Sequence, residues 1–326
     1  MDKLDKKIVT AVQGDLTAEE RPFDALAARL GIDAAEMLAR LRRLMADGTI
    51  RRLGPIFDSR GLGYVSTLVA ARVPPARLAE VAARVSRLAG VTHNYERRHA
   101  YNLWFTLTSR SAQELDRTLE TLRRETGIAE FHSLPAVAVY KIRVQFHVAG
   151  EPEMLEEAGG RVSANSAALT DEQKELVRLL QDGLPAEREP FAAAAARLGW
   201  PLARVVAQVR EWLESGVIRR LGAVVRHRDL GFAANGMAVF RVPPHAVDAA
   251  GRSLATYAEV SHCYQRRALP DFPYSLFAMV HGRSEEEVRR TIAAMAREIG
   301  LPDYEVLFSS TEFKKVSMRY FVETCE

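Results

Sequence analysis

His93-Asn94-Tyr95-Glu96-Arg97-Arg98 returns 169 residues later as His262-Cys263-Tyr264-Gln265-Arg266-Arg267. Outward from this stretch the match continues. Upstream, Arg72-Val73-Pro74-Pro75 returns at the same offset of 169 as Arg241-Val242-Pro243-Pro244, and Arg51-Arg52-Leu53-Gly54 returns at 168 as Arg219-Arg220-Leu221-Gly222. Downstream, Tyr101-Asn102-Leu103-Trp104-Phe105 corresponds to Tyr274-Ser275-Leu276-Phe277-Ala278 at 173, so the second copy carries four extra residues in the loop Ala268-Leu269-Pro270-Asp271-Phe272-Pro273. Collinear matches at nearly constant spacing define an internal duplication, and a duplication decides architecture before any local reading does. Residues 150–168, rich in Gly, Ala, Glu and Ser, read as the linker between the copies.

Each copy divides again. Leu4, Ile8 and Val12, then Leu26, Leu30, Leu38, Leu41 and Leu44, fall at helical spacings. Gly31 ends one helix, Asp33 caps the next and Gly48 ends the third, after which Ile50-Arg51-Arg52-Leu53 begins an extended wing. Three short helices and a wing describe a winged helix-turn-helix. The second copy repeats it with Leu176, Val177 and Leu180, residues 191–198, residues 202–213, and Gly216-Val217-Ile218. Beyond the wing, residues 64–72 are β-rich, Pro74-Pro75 starts a helix to about 88, and 91–97 with 101–108 read as a hairpin. A capped helix over 111–126 stops at Gly127, and 131–140 is a last strand. The order βαββαβ is the ferredoxin-like signature. In the second copy the same elements start near Phe232, Pro244, Val260, Tyr274, Ser284 and Tyr304. The fold class expected is therefore α+β, a tandem repeat of winged helix-turn-helix plus ferredoxin-like βαββαβ domain. The units run over 1–56, 57–149, a linker 150–168, 169–223 and 224–326. The two sheets are expected to pack as an intramolecular pseudo-dimer.

Composition narrows the function classes. Of 326 residues, 48% are hydrophobic and 27% charged, as in an ordinary soluble globular protein. No apolar run is long enough to span a bilayer, and the charged start Met1-Asp2-Lys3-Leu4-Asp5-Lys6-Lys7 lacks the apolar stretch of a secretory signal; the expectation is a cytoplasmic protein with no membrane partner. Two cysteines, Cys263 and Cys325, without a CxxC exclude a cysteine-rich zinc site and argue against a disulfide framework. Net charge is only +3, weak support for a nucleic-acid partner, and DNA binding is not expected.

Side chains alternate faces along a strand, so His93, Tyr95 and Arg97 share one face, as do His262, Tyr264 and Arg266. For one copy alone the bland alternative is a solvated outer face; retention of the triplet in both copies points to a site. The neighbouring strand brings Tyr101, Asn102 and Trp104 in one copy and Tyr274, Ser275 and Phe277 in the other. The last strands end in Tyr140-Lys141 and Phe313-Lys314-Lys315. Arg98, Arg219, Arg220 and Arg267 add guanidinium groups, and His227, inside Arg226-His227-Arg228, adds an imidazole. Aromatic walls mixed with Arg, Lys and His suit a flat, conjugated polyanion, because guanidinium groups hold carboxylates bidentately. GxSxG, HExxH, P-loop and GxGxxG signatures are missing.

The helix-turn-helix followed by βαββαβ resembles the Lrp/AsnC regulators, and the strand motifs resemble one enzymatic offshoot, the siroheme decarboxylases. His-Asn-Tyr-Glu-Arg-Arg with Tyr-Asn-Leu-Trp-Phe-Thr-Leu, at 93–107, is similar to one subunit type. His-Cys-Tyr-Gln-Arg with Pro-Asp-Phe-Pro-Tyr-Ser-Leu-Phe, at 262–277, and Arg219-Arg220-Leu221-Gly222-Ala223 with His227-Arg228 are similar to the other; Ser275 departs from the Asn expected there. The resemblance implies a fusion of the two subunits serving d1-type heme biosynthesis. The implied reaction converts siroheme to 12,18-didecarboxysiroheme by removing CO2 from two acetates. It needs no separate cofactor, since the iron is part of the substrate, and the partners are siroheme and its product, with homo-oligomers left open. Catalytic roles fall to His262, Tyr264, His227, His93 and Tyr95. Substrate binding falls to Arg97, Arg98, Tyr101, Asn102, Trp104, Lys141, Arg219, Arg220, Arg266, Arg267, Tyr274, Lys314 and Lys315. The second copy is expected to react, because it has the longer loop and His227. Two rivals remain at this stage: a DNA-binding regulator reading through residues 34–45, with Arg40, Arg42 and Arg43, and a non-catalytic heme carrier.

Overall fold

The computed structural model describes residues 1–14, 16–142, 169–225 and 234–322. The linker expected at 150–168 and the candidate His227 lie outside the described residues.

In the first copy three helices, α1 (Lys3–Gly14), α2 (Pro22–Leu30) and α3 (Ala34–Ala46), lead into strand β1 (Ile50–Phe57). Then follow β2 (Val65–Ala71), α4 (Leu78–Ser86), β3 (Val91–Arg97), β4 (Leu103–Ser109), α5 (Ala112–Thr126) and β5 (Phe131–Ile142). The second copy repeats the order as α6 (Asp171–Gln181), α7 (Ala192–Leu198), α8 (Leu202–Glu214), β6 (Ile218–Val225), β7 (Ala234–Phe240), α9 (Val247–Thr256), β8 (Val260–Arg266), β9 (Leu276–Gly282), α10 (Glu285–Glu298) and β10 (Tyr304–Lys315). Short polar side chains set the helix starts by accepting otherwise orphaned backbone N–H groups. Asp33 accepts from the Ala35 amide, Ser111 from Glu114 and Ser284 from Glu287. Gly31 ends α2 at φ 68°, a left-handed conformation that favours glycine.

The wings differ from the expectation. Neither β1 nor β6 folds back as a hairpin; they pair antiparallel with each other, Gly54 opposite Gly222. An extended strand with buried Ile50, Leu53 and Phe57 needs both a hydrogen-bonding partner and a cover, and the other copy supplies both. Helix α1 lies against β6, and α6 against β1. Gly222 sits so close to α1 that a Cβ there would come 2.6 Å from the carbonyl oxygens of Val12 and Gln13. One apolar core, running from Ile8 and Phe23 to Phe191 and Trp212, serves both helical units.

The two βαββαβ halves also join, through their edges. The eight strands close into a barrel in the order β10-β3-β4-β2-β5-β8-β9-β7. The closure is made by the long last strands. β5 pairs with β2 over Thr67–Ala71 and then with β8, through Val139 opposite Tyr264 and Ile142 opposite His262. β10 pairs with β7 and then with β3, through Glu312 opposite Tyr95 and Lys315 opposite His93. Helices α4 and α5 cover one outer face and α9 and α10 the other. A third apolar cluster, including Trp104, Leu134, Met237, Phe272 and Phe277, fills part of the interior. Among the described residues no helix is long and apolar enough to cross a membrane.

Candidate active site

Strand alternation decides where the repeated triplets point. On β3 the odd member out, Asn94, donates to the Ala82 carbonyl of α4 at 3.0 Å, and on β8 Cys263 lies against the Gly251 carbonyl of α9. His93, Tyr95 and Arg97, and likewise His262, Tyr264 and Arg266, therefore face the barrel interior. The rings of His93 and Tyr95 stand 6.2 Å apart, those of His262 and Tyr264 6.1 Å. Arg97 lies 5.8 Å from the Tyr95 ring centre, Arg266 4.8 Å from that of Tyr264. Each guanidinium is anchored on a carbonyl of the other copy, Arg97 on Leu307 and Arg266 on Leu134.

Burial controls the chemistry of these groups. Desolvation disfavours the charged form of each. It lowers both Arg97 and Arg266 to about 10, pushes Tyr95 up to about 12 and raises Tyr264. His93 is held below the ordinary imidazole value by burial and then by Lys315. His262 falls to about 4, first from burial and then from the neighbouring His281, Arg219, His93 and Arg266. Because β3 and β8 are both staves of the one closed barrel, the two triplets share its interior.

The triplets have different company. The β10 register sets Glu312 beside Tyr95 and Lys315 beside His93. At the corresponding positions β5 sets Val139 and Ile142 beside Tyr264 and His262. Two further cations approach the second triplet, Arg219 from β6 and Arg60 from the loop after β1. Asp58 ties them together. One of its carboxylate oxygens accepts from the amides of Arg60 at 2.7 Å and Gly61 at 3.3 Å, and the other from Arg219 Nε at 2.7 Å. Burial alone would raise the Asp58 carboxyl, but Arg219 and these hydrogen bonds hold it below the usual carboxylate range. A loop of the first copy thus borders the site of the second. Arg60, Asp58, His281 and Glu312 escaped the sequence reading. A signal existed for Arg60: at the repeat offset of 168 it matches Arg228.

Several candidates serve elsewhere. Tyr101, Trp104 and Tyr274 surround Phe272 of the longer second-copy loop, with ring centres 5.8, 5.6 and 4.9 Å from it. Tyr101 donates to Asp271, Tyr274 to Glu305, and the Trp104 indole to the Tyr101 carbonyl. That loop therefore plugs the barrel end and does not extend the second triplet, so it gives no ground for choosing the second copy. Asn102 clips the backbone of Val73 through both its amide atoms. Lys141 donates to the Tyr257 carbonyl and Lys314 to those of Ser86 and Leu88, at the C-terminal ends of α9 and α4. Arg220 is committed to the carbonyls of Gln13 and Ala223 inside the helical unit. Arg98 and Arg267 are exposed, the former 3.5 Å from Glu285.

The arginines expected to read DNA are engaged internally. Arg40 and Arg43 both pair with the buried Asp5, and Arg42 donates to the Ala186 carbonyl. Arg204 pairs with Glu172 and lies over the Trp200 ring, and Arg210 donates to the Ala18 carbonyl. Among the described residues no group of three or more His, Cys, Asp or Glu side chains is arranged to hold a metal ion.

Fold and site together define a tandem AsnC-like protein whose two ligand-binding units share one barrel. Residues 61–141 and 229–314 match the AsnC-like ligand binding domain family, and 5–51 and 173–219 match the siroheme decarboxylase NirDL-like HTH domain. The chain belongs to the siroheme decarboxylase family. It is 37% identical to a siroheme decarboxylase of Hydrogenobacter thermophilus, over 98% of this chain and 96% of that protein. It is 44% identical to a siroheme decarboxylase alpha subunit of Oleidesulfovibrio alaskensis, over 47% of this chain and 92% of the subunit. The crystal structure of the siroheme decarboxylase NirDL in complex with an iron-uroporphyrin III analogue superposes with a TM-score of 0.79 at 35% identity, covering 99% of this chain and 95% of that one.

Proposed function

We propose that this chain is a siroheme decarboxylase, a carboxy-lyase that removes CO2 from two acetate side chains of siroheme to give 12,18-didecarboxysiroheme. The observation that carries the reading is the convergence of two His-Tyr-Arg faces in one barrel interior, with Arg219 and Arg60 beside the second. The iron is part of the substrate, and the chain's own residues do the rest.

Breaking the bond between an acetate methylene and its carboxylate leaves an electron pair that the conjugated macrocycle delocalises. The protein must hold the spared carboxylates, strip water from the departing one and return a proton. Arg266, Arg97, Arg219 and Arg60 are suited to the first task, since guanidinium groups pair with carboxylates in two-pronged fashion. Val139 and Ile142, opposite Tyr264 and His262, make the second triplet the drier one, and a carboxylate loses more by desolvation than the neutral CO2 it becomes. His262 or Tyr264 then protonates the methylene. The second triplet is the reactive one on this reading. At the first, the Glu312 carboxylate beside Tyr95 repels a substrate carboxylate, and that triplet is better suited to hold and orient the macrocycle.

The test is anaerobic incubation with siroheme, followed by mass spectrometry. Two successive losses of the mass of CO2 are expected; unchanged siroheme bound to the protein would favour the carrier instead.

A further inference from the structure

A hydrogen-bonded chain leads away from the second triplet. His262 Nδ1 lies 2.9 Å from Ser261 Oγ, and Ser261 Oγ lies 2.7 Å from His281 Nε2. Ser261 is 3% exposed, and among the described residues the Met279 carbonyl, at 3.4 Å, is the one further partner of its hydroxyl. His281, on β9, is half-buried, with its amide held by the Glu259 carbonyl. The first copy begins alike and ends differently. His93 Nδ1 lies 2.9 Å from Thr92 Oγ1, which lies 2.7 Å from Thr106 Oγ1. Threonine stands where the second copy has Ser261, and Thr108 where it has His281. Beyond the first hydroxyl the second-copy chain thus reaches a titratable imidazole, and the first-copy chain only another hydroxyl, which does not ionise near neutral pH.

We propose that Ser261 and His281 form a proton relay that refills His262 as it protonates the decarboxylated carbon. This rests on the reading of His262 as proton donor. The bond from methylene to carboxylate breaks, CO2 departs, and the electron pair stays with the methylene carbon and the macrocycle. His262 Nε2–H gives its proton to that carbon. Nδ1 of the same ring takes the Ser261 hydroxyl proton, Ser261 takes the proton of His281 Nε2, and His281 takes one from solvent. One proton enters for each CO2 that leaves, and nothing is oxidised or reduced. Without the relay, a neutral imidazole that donated Nε2–H would be left as imidazolate, too basic to form in a dry interior. An imidazolium donor is scarce there as well, because burial, and then the neighbouring His281, Arg219, His93 and Arg266, disfavour it. Once the macrocycle has left or turned, proton exchange with water in the open hollow restores the tautomers.

Ser261→Ala and His281→Phe test this in the full-length chain, with anaerobic siroheme turnover read by mass spectrometry and binding of iron-uroporphyrin III read by its absorption. Each variant is expected to lose about 100-fold in the rate of CO2 release, the usual scale of proton-transfer catalysis, while binding stays within about threefold. Added imidazole is expected to restore part of the rate in His281→Ala, and the solvent deuterium isotope effect is expected to fall to that of a single proton in Ser261→Ala. Variants that turn over within about twofold of the parent, or that lose rate and binding together without imidazole rescue, overturn the relay and leave the decarboxylase reading standing. A parent chain that releases no CO2 overturns both.

Discussion

His262 is the residue whose surroundings most alter its chemistry. An imidazole surrounded by protein, beside Arg219, Arg266, His281 and His93, is neutral where an exposed one would already be half protonated. The linkage has a definite sign. The folded state binds this proton only near pH 4, the unfolded chain near 6.5, so stability present above 6.5 is lost as pH falls between those values. His262→Gln should flatten that loss by roughly 2 kcal/mol, read from the unfolding free energies of the two proteins in urea at pH 7 and pH 4.5. Equal acid sensitivity of the two proteins would mean that the imidazole is solvated. Arg60 and Arg219 are expected to act on binding. Arg60→Ala should weaken iron-uroporphyrin III binding by about tenfold, the value of one charge-assisted contact, with thermal stability unchanged. Asp58→Asn should do the same indirectly, since Asp58 fixes both groups.

At the scale of elements, two devices make one body of two copies. The β1–β6 ribbon needs Gly222 because α1 crosses directly over it. Gly222→Ala forces a Cβ against two backbone carbonyls and should lower the denaturation midpoint by several degrees, whereas Gly31→Ala, which meets no neighbour, should cost only the strain of its left-handed conformation. The plug loop is the second device. Phe272→Ala empties the space between Tyr101, Trp104 and Tyr274 and should cost about 3–5 kcal/mol in chemical denaturation, the usual range for a buried Phe. Most elements were legible in the sequence, because caps and periodicities are local: Asp33 and Ser111 start helices where the residues say so. The sharing of each triplet's face was legible as well, since a strand alternates wherever it lies. The pairing of β1 with β6 was not, because alternation names a strand's faces but not its partner. Arg220 and Asn102 are a related case. A polar side chain near a site looks the same in sequence whether it meets a ligand or the backbone, and these two meet backbone groups, Arg220 the Gln13 carbonyl and Asn102 the Val73 amide and carbonyl.

Across the whole molecule, duplication followed by divergence explains why one barrel holds two unlike triplets. Each long last strand completes the other copy's wall, so a change in β5 or β10 alters the opposite site. That is how Glu312 came to stand beside Tyr95 and Val139 beside Tyr264. Neither half can close the barrel or cover its ribbon strand alone, and a chain cut between the copies should hold together only as a complex of both pieces. The decisive comparison is between His262→Ala and His93→Ala, each given siroheme anaerobically with the rate of CO2 release followed by mass spectrometry. His262→Ala is expected to lose at least about 100-fold while still binding iron-uroporphyrin III, and His93→Ala to lose much less. Full activity in His262→Ala, or a loss confined to His93→Ala, would contradict it.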